Sequence, residues 1–151
     1  MIPALEKPRW IAVDWGTTHL RAWAMGRGNE VLDLANSDDG MSKLAPQEFE
    51  PALIRLVSHW LTEGKTPVIA CGMVGSRQGW AEAPYRAVPC AAQSDALINA
   101  PCTDPRLDVR IIPGVKQASP ADVMRGEETQ ISGFLAQNPN FDGVLCLPGT
   151  H

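Results

Sequence analysis

Short apolar segments alternate with polar turns over the first forty residues, which predicts a series of β-strands. Residues 10–13 are all apolar and end at Asp14, as expected of a strand buried on both faces. Residues 17–25 then place apolar side chains at every second position, the period of another strand. After a turn at 26–29, a third strand is predicted over 30–35. Because tight turns join the three strands, they predict an antiparallel meander.

A helix with one continuous apolar face is predicted after the meander. Its apolar residues recur at helical spacing: Phe49, Ala52, Leu53, Leu56, Val57, Trp60 and Leu61. Pro46 suits the first turn of this helix, and Gly64 suits the position beyond its end.

The rest of the chain predicts strands linked through helices. Further strands are predicted over 67–71, 109–112 and 143–147. Helices are predicted over 91–100 and 127–137, and residues 119–122 carry the hydroxyl, proline and acid that are typical of a helix start. A meander followed by such units predicts an α/β fold with a mixed sheet and a ribonuclease-H-like topology.

The strand predicted at 143–147 has no partner in this order of elements. It is followed by a Gly–Thr turn at the last residues of the chain. We therefore expect an N-terminal domain over residues 1–142, with residues 143–151 as the first strand and phosphate turn of a second domain.

Composition and charge exclude several classes of function. The chain has 151 residues, of which 44% are apolar and 20% charged, as in one globular domain. A net charge of −4 argues against a nucleic-acid partner, so an anionic ligand would need local backbone amides and a metal ion. No apolar run approaches the roughly 18 residues of a membrane span, and residues 1–8 lack the apolar core of a signal peptide.

The four cysteines include no C-x-x-C pair, so we expect reduced and mostly buried thiols in a cytoplasmic protein. No G-x-x-x-x-G-K-[S/T] segment is present, which excludes a P-loop enzyme. The three histidines have no metal-ligand spacing.

The turn between the first two strands has the features of a phosphate-binding loop. Gly16 permits close approach of the backbone to a ligand, while Thr17 and Thr18 offer hydroxyls and amides to phosphate oxygens. Asp14 could hold Mg²⁺ through water, and Arg21 could reach a phosphate, although its position also suits a sheet face. The alternative is an ordinary hairpin in which Asp and Gly form the turn.

Two adjacent acids stand at the predicted start of the last helix. Glu127 or Glu128 could be the base that accepts a proton from a hydroxyl group. Successive helix positions point about 100° apart, so only one of the two can face a cleft. The alternative is a pair of capping acids at the positive end of the helix dipole.

A loop with three glycines follows the strand at 67–71. Its polar and aromatic side chains could bind a sugar acid through hydrogen bonds, stacking and an ion pair to a carboxylate. The candidate substrate-binding residues are Gly75, Ser76, Arg77, Trp80 and Tyr85. A plain connecting loop would have much the same composition.

Together these segments resemble the 2-dehydro-3-deoxygalactonokinase family of the sugar kinase/Hsp70/actin superfamily. The resemblance rests on residues 11–23, 72–76, 79–80, 83–85, 111–114, 124–130 and 148–151. The first segment alone marks only the superfamily. The sequences Gly-Met-Val-Gly-Ser at 72–76 and Met-Arg-Gly-Glu-Glu-Thr-Gln at 124–130 are more specific to the family, and their order makes the match strong.

The resemblance implies transfer of the ATP γ-phosphate to the 6-hydroxyl of 2-dehydro-3-deoxy-D-galactonate in galactonate breakdown, with Mg²⁺. It also implies two ribonuclease-H-like domains that close over a cleft. The first phosphate loop would contain Asp14, Gly16, Thr17 and Thr18, and the second would contain Gly149 and Thr150. Glu127 would be the base, with Glu128 as the reserve candidate.

The main departure from the family is length, because the family has a second domain that supplies the adenosine pocket. We therefore expect the chain to be part of a longer protein and its 151 residues alone to be inactive. The alternatives are another sugar or sugar-acid kinase, a phosphoanhydride hydrolase of the same superfamily, or a non-catalytic binding or dimerising module. A second copy of the chain is a candidate partner, and the stereoisomer of the acid is left open.

Overall fold

The computed structural model describes residues 6–149 and contains nine strands and two α-helices in that range. The strands are β1 (Trp10–Trp15), β2 (Leu20–Met25), β3 (Val31–Ser37), β4 (Thr66–Cys71), β5 (Arg86–Ala87), β6 (Ile98–Asn99), β7 (Leu107–Ile111), β8 (Val115–Gln117) and β9 (Asp122–Met124). The helices are α1 (Phe49–Val57) and α2 (Glu127–Gln137). Short 3₁₀ turns span Arg27–Asn29, Met41–Lys43, Pro46–Glu48, Ser58–Trp60 and Met73–Gly75.

Six of the strands form one mixed sheet in the order β3-β2-β1-β4-β7-β6. The first three strands pair antiparallel, whereas β1, β4 and β7 are parallel to one another. The predicted meander and the α/β class with a mixed sheet are therefore confirmed.

One face of the sheet is buried beneath α1. Alternate residues of β1, namely Ile11, Val13 and Trp15, are at most 3% exposed. The ring of Phe49 on α1 lies 5.5 Å from that of Trp15 and 6.2 Å from that of Trp80. Each such side chain contributes about 1.5–3 kcal/mol when fully buried, so the aromatic cluster holds α1 on the sheet.

The apolar face predicted for the first helix is correct, but the helix is shorter than predicted. It ends at Val57 and continues as the turn Ser58–Trp60, so Gly64 lies well beyond its end. Pro46 begins the 3₁₀ turn that precedes α1.

The helix predicted over 91–100 is wrong. Residues 91–97 are irregular, and Ile98–Asn99 is the edge strand β6, which pairs with β7. The guanidinium of Arg86 donates to the carbonyls of Ala91 (2.6 Å) and Ala92 (3.0 Å). Those carbonyls therefore bond to a side chain instead of to helical amides.

The helix start predicted at 119–122 is also wrong. Residues 119–121 form a turn between β8 and β9, where the side-chain amide of Gln117 donates to the carbonyl of Pro120 at 2.9 Å. These two strands and β5 form a second sheet in the order β5-β8-β9, which the sequence did not predict.

The strand predicted at 143–147 is irregular in the structure, and Val144 is 92% exposed. A strand needs a neighbour to pair its backbone groups, and no described strand lies beside this segment. The domain boundary at residue 142 stays a prediction, and Thr150 lies outside the described residues.

Two of the cysteines, Cys71 and Cys102, are half-buried, whereas Cys90 and Cys146 are exposed. The expectation of mostly buried thiols is thus met by only half of them. Within residues 6–149, neither helix has the length and hydropathy that crossing a membrane requires.

Candidate functional site

Three of the predicted motifs meet at the carboxyl ends of the parallel strands. Asp14 on β1 pairs in register with Cys71 on β4. Gly72 follows with φ of 100°, and a Cβ there would lie 2.7 Å from the carbonyl oxygen of Trp15. Gly126, with φ of 115°, lies next to Gly72, and a Cβ on Gly126 would make an ordinary contact of 3.5 Å with the Cα of Gly72. This edge of an α/β sheet is where ligands usually bind.

The carbonyl oxygens of the turn between β1 and β2 are held by a neighbouring segment. The carbonyl of Gly16 accepts a hydrogen bond from the amide of Met41 at 2.9 Å. The carbonyl of Thr17 accepts from the amide of Ser42 at 3.0 Å and from its hydroxyl at 2.8 Å. The acceptors of the turn are therefore occupied by the 3₁₀ turn Met41–Lys43.

The donors of the same turn remain available. Thr17 and Thr18 are exposed, and no oxygen in residues 6–149 accepts a hydrogen bond from the amide of either residue. A turn whose backbone offers free amides and hydroxyls suits an anion. The phosphate-loop interpretation of the sequence therefore has geometric support.

Gly40 supports this turn from behind, and the sequence analysis missed it. A Cβ on Gly40 would lie 2.2 Å from the carbonyl carbon of Thr18 and 2.4 Å from the carbonyl oxygen of Thr17. The φ of Gly40 is −65°, which any residue can adopt. Glycine is therefore required here because the two backbones pack closely, and not because of an unusual backbone conformation. The only signal in the sequence was the segment Asp-Asp-Gly at 38–40, shortly after the third predicted strand.

Asp14 and Arg21 form an ion pair across β1 and β2, with 2.7 Å between Nη2 and Oδ2. The side chain of Arg21 is 56% exposed and that of Asp14 is 29% exposed. An ion pair near the surface contributes at most about 1 kcal/mol, so an arriving cation or phosphate can displace it.

A cavity of about 450 Å³ opens beside this ion pair. Its polar end contains Asp14, Arg21, Thr129 and Gln130, and two tryptophans, Trp10 and Trp23, line its apolar part. Strand alternation places Asp14 and Trp23 on the face of the sheet opposite α1. The cavity thus joins the predicted phosphate loop to the first turns of α2.

Cys71 lines the same cavity but is not a nucleophile. Burial, followed by the negative charge of Asp14, raises the pKa of its thiol to about 12. The thiol therefore stays protonated at physiological pH, and only the thiolate reacts readily.

Both acids of α2 bond to backbone amides at the start of the helix. Oε2 of Glu127 accepts from the amide of Arg125 at 2.9 Å, and Oε2 of Glu128 accepts from the amide of Gly126 at 2.8 Å. Glu128 is 1% exposed, and burial raises the pKa of its carboxyl group. Glu127 is half-buried and can still contact a ligand. The helix start therefore buries Glu128 and leaves Glu127 partly accessible, and which of the two faces a cleft stays a prediction.

We call residues 72–85 the glycine loop, and its five candidate residues point in different directions. Ser76 is buried, and Trp80 is 9% exposed in the aromatic cluster with Trp15. The side chain of Arg77 is 84% exposed and lies 3.9 Å from Glu82.

None of the five loop candidates lines the cavity beside Asp14. Trp80 instead borders a groove of about 740 Å³ on the side of α1, together with Glu50 and Arg106. The part of the loop that contacts the sheet edge is therefore the backbone at Gly72. At the other end of the chain, Gly149 is exposed and irregular, and Thr150 lies outside the described range.

A buried arginine, which the sequence analysis did not consider, connects the glycine loop to α2. Arg125 is 9% exposed, and its Nη2 donates to the carbonyl of Ala83 at 2.9 Å. Its guanidinium carbon lies 4.2 Å from the centre of the Tyr85 ring. The one sequence feature that could have indicated its importance is its position directly before Gly126, at the start of α2.

Known proteins resemble this chain in sequence and in fold. The family described as 2-keto-3-deoxy-galactonokinase matches residues 14–151. The chain belongs to this family.

Two curated members of the family show how far the similarity extends. The 2-dehydro-3-deoxygalactonokinase of Escherichia coli (strain K12) is 40% identical over 145 residues, which are 95% of this chain and 47% of that protein. The probable 2-dehydro-3-deoxygalactonokinase DgoK1 of Rhizobium meliloti (strain 1021) is 39% identical over 144 residues, again 47% of its length. The chain therefore spans about half the length of these relatives.

A crystal structure from Sinorhizobium meliloti, described as that of a candidate 2-dehydro-3-deoxygalactonokinase, has the same fold. Its TM-score is 0.83 at 38% identity, and the match covers 94% of this chain and 47% of that one.

Replacing Gly40 with alanine should disrupt the turn between β1 and β2. The new Cβ would overlap the backbone of Thr18, and overpacking of this kind costs about 1–3 kcal/mol of unfolding free energy. Urea unfolding measures the effect. The control is Gly133→Ala on α2, where a Cβ meets nothing within 4 Å and stability should stay equal or rise. Equal stability of the two variants would contradict the predicted overlap.

Replacing Glu128 with glutamine should change how stability depends on pH. Because burial raises the pKa of Glu128 in the folded chain, the folded state binds more protons than the unfolded state above about pH 4.5. This group therefore lowers the unfolding free energy as pH rises through its folded pKa. Glutamine keeps an oxygen for the amide of Gly126 and removes the charge, so Glu128→Gln should be more stable than wild type at pH 7. Denaturant unfolding from pH 4 to 8 measures this, and a less stable variant at pH 7 would refute it.

Proposed function

We propose that this protein is a kinase that transfers the γ-phosphate of ATP to the 6-hydroxyl of 2-dehydro-3-deoxy-D-galactonate in galactonate breakdown. One observation carries the proposal: Asp14, the free amides of Thr17 and Thr18, and the acidic start of α2 meet at one edge of the sheet. Membership of the family supports the choice of substrate. The printed names of the relatives state the same activity for those proteins.

We also propose that the main sheet is a ribonuclease-H-like domain over residues 1–142. An antiparallel meander with β1 at its inner edge, followed by the parallel strands β4 and β7, supports this topology. Residues 143–151 would begin a second domain, which is supported by the exposed apolar side chain of Val144. Gly149 and Thr150 would then belong to a second phosphate loop.

The residues at the first turn suit a phosphate group with its metal ion. The amides and hydroxyls of Thr17 and Thr18, beside Gly16, would hold phosphate oxygens, and Arg21 would turn from Asp14 to the phosphate. Asp14 would hold Mg²⁺ through water, because Mg²⁺ keeps much of its hydration shell. When bound, ATP supplies the phosphoryl group and Mg²⁺ neutralises part of its charge.

The acids of α2 would have separate roles. Glu127 would accept the proton of the acceptor hydroxyl, because its side chain is accessible whereas that of Glu128 is buried. Glu128 would hold the turn at Gly126 through its hydrogen bond to that amide. Glu128 stays the reserve candidate for the base.

The glycine loop would bind the sugar acid, with Arg77 contacting the acid directly and Gly75, Ser76, Trp80 and Tyr85 shaping the loop that holds it. The exposed guanidinium of Arg77 supports an ion pair with the carboxylate of the acid, since its contact with Glu82 is long at 3.9 Å. Trp80 would act by packing the loop into the core, which its burial supports. The substrates are small molecules, and a cytoplasmic location and a homodimer remain predictions.

The activity is tested on the protein encoded by the longest reading frame that contains this sequence, because the relatives are about twice as long as the chain. Purified protein is incubated with Mg-ATP and 2-dehydro-3-deoxy-D-galactonate, and the release of ADP is followed. The proposal expects ADP to form only with the acid present and phosphate to appear on its 6-hydroxyl. Turnover with a different sugar acid alone would indicate a sibling kinase. Phosphate release at full rate without any acceptor would indicate a hydrolase.

Neutral variants of Asp14 and Glu127 should lose most of the activity. Asp14→Asn and Glu127→Gln should each lower kcat by at least about 100-fold, because placed charges account for most of the catalysis of phosphoryl transfer. Steady-state kinetics measures this, with Asp38→Asn, whose side chain is 86% exposed, as the control. A full rate in Glu127→Gln together with a loss in Glu128→Gln would reverse the assignment of the base.

A further inference from the structure

The side chain of Arg125 lies between the glycine loop and α2. Nη2 donates to the carbonyl of Ala83, 42 residues earlier in the chain, at 2.9 Å. On another side, Nη1 would lie 2.9 Å from a Cβ on Gly75, so only glycine leaves room for the guanidinium. The amide of Ala83 also donates to the carbonyl of Gly75 at 2.9 Å, which closes the loop around this point.

The guanidinium lies over the ring of Tyr85, with 4.2 Å between its central carbon and the ring centre. The same ring packs against Gly114, where a Cβ would meet Cε1 of Tyr85 at 2.8 Å. A planar cation can stack on an aromatic ring and donate in its own plane at once, which lysine cannot do. The end of the glycine loop is therefore fixed by the shape of an arginine.

The main chain of Arg125 contacts the acids of α2. Its amide donates to Oε2 of Glu127 at 2.9 Å, and the next residue, Gly126, donates its amide to Glu128 at 2.8 Å. One residue thus bonds to the glycine loop through its side chain and to the proposed base through its backbone.

Stability does not explain a charge at this position. Within residues 6–149, Arg125 has no carboxylate within 4.0 Å, and its Nε and Nη1 are buried without a hydrogen-bond partner. Its charge acts on Glu128 only through space, where it offsets a small part of the rise that burial causes in the pKa of that carboxyl group. A buried cation with so few partners is costly, and an apolar side chain of similar volume is often as stable or more stable. The arginine is therefore better explained by the positions it imposes than by the stability it adds.

We propose that Arg125 is a positioning residue that joins the glycine loop to the first turn of α2. It sets where the bound sugar acid lies relative to Glu127. The functional part of this inference rests on the proposed kinase activity, whereas the structural coupling does not.

Hydrogen exchange of the 151-residue chain tests the coupling directly. In Arg125→Met, which keeps the volume, the amides of Trp80 and Ala83 should exchange at least about tenfold faster, while those of β1 and β4 are unchanged. The matched control is Arg77→Met in the same loop, which should leave all of these amides unchanged. Unchanged loop amides in Arg125→Met, a uniform increase across β1 and β4, or an equal effect in Arg77→Met would each overturn the proposal.

A second variant decides the matter if Arg125→Met does not fold. Arg125→Lys keeps the charge and a donor for Ala83 but loses the planar stack on Tyr85. It should accelerate exchange of the loop amides at least about threefold, with β1 and β4 unchanged. No acceleration, or a uniform one, would overturn the proposal.

Kinetics of the longest encoded product tests the functional part. Arg125→Met should raise KM for the sugar acid at least about tenfold and leave KM for ATP unchanged, since a misplaced acceptor loses orientation. Equal changes in both constants, or none, would overturn the positioning role. If the wild-type protein phosphorylates no sugar acid, the proposed function fails, and hydrogen exchange still decides the coupling.

Discussion

Backbone contact between two glycines holds the candidate site together. Gly72 leaves β4 with a positive φ where a side chain would overlap the carbonyl of Trp15, and Gly126 lies directly against it before α2 begins. Because Gly72 has no side chain, the end of β1 and the glycine loop come within contact distance, and the helix start packs against them at Gly126. The carboxylate of Asp14 and the acids of α2 are brought to one edge of the sheet by this contact.

One face of the sheet forms the hydrophobic core, and the opposite face carries the candidate site. Trp15 places its ring in the aromatic cluster with Phe49 and Trp80, and its carbonyl oxygen stands beside Gly72. Trp80 belongs to the glycine loop, so its packing in that cluster attaches the loop to the core. The opposite face has only partial cover, and there Asp14, Arg21 and α2 border the cavity. The core thus stabilises the sheet while its edge remains open to a ligand.

The features that the sequence predicted correctly depend on local spacing. The meander and the apolar face of α1 follow from periodicity within each segment, and the start of α2 follows from the interruption at Gly126. The errors arise where contacts outside the regular spacing of a segment decide the backbone. The side chain of Arg86 takes the carbonyls of residues 91–92, and the second sheet needs three separated segments. Gly40 and Arg125 were missed for the same reason, because their contacts join residues about 20 to 40 positions apart.

The central claim is that the turn after β1, together with Gly72 and Gly126, forms a phosphate-binding edge. The most direct measurement is a titration of the ¹⁵N-labelled chain with Mg-ATP, followed by amide chemical shifts. The account predicts the largest changes at Gly16, Thr17 and Thr18, with smaller ones at Gly72 and Gly126. Changes confined to the groove at Glu50 and Arg106, or none at the turn, would contradict it.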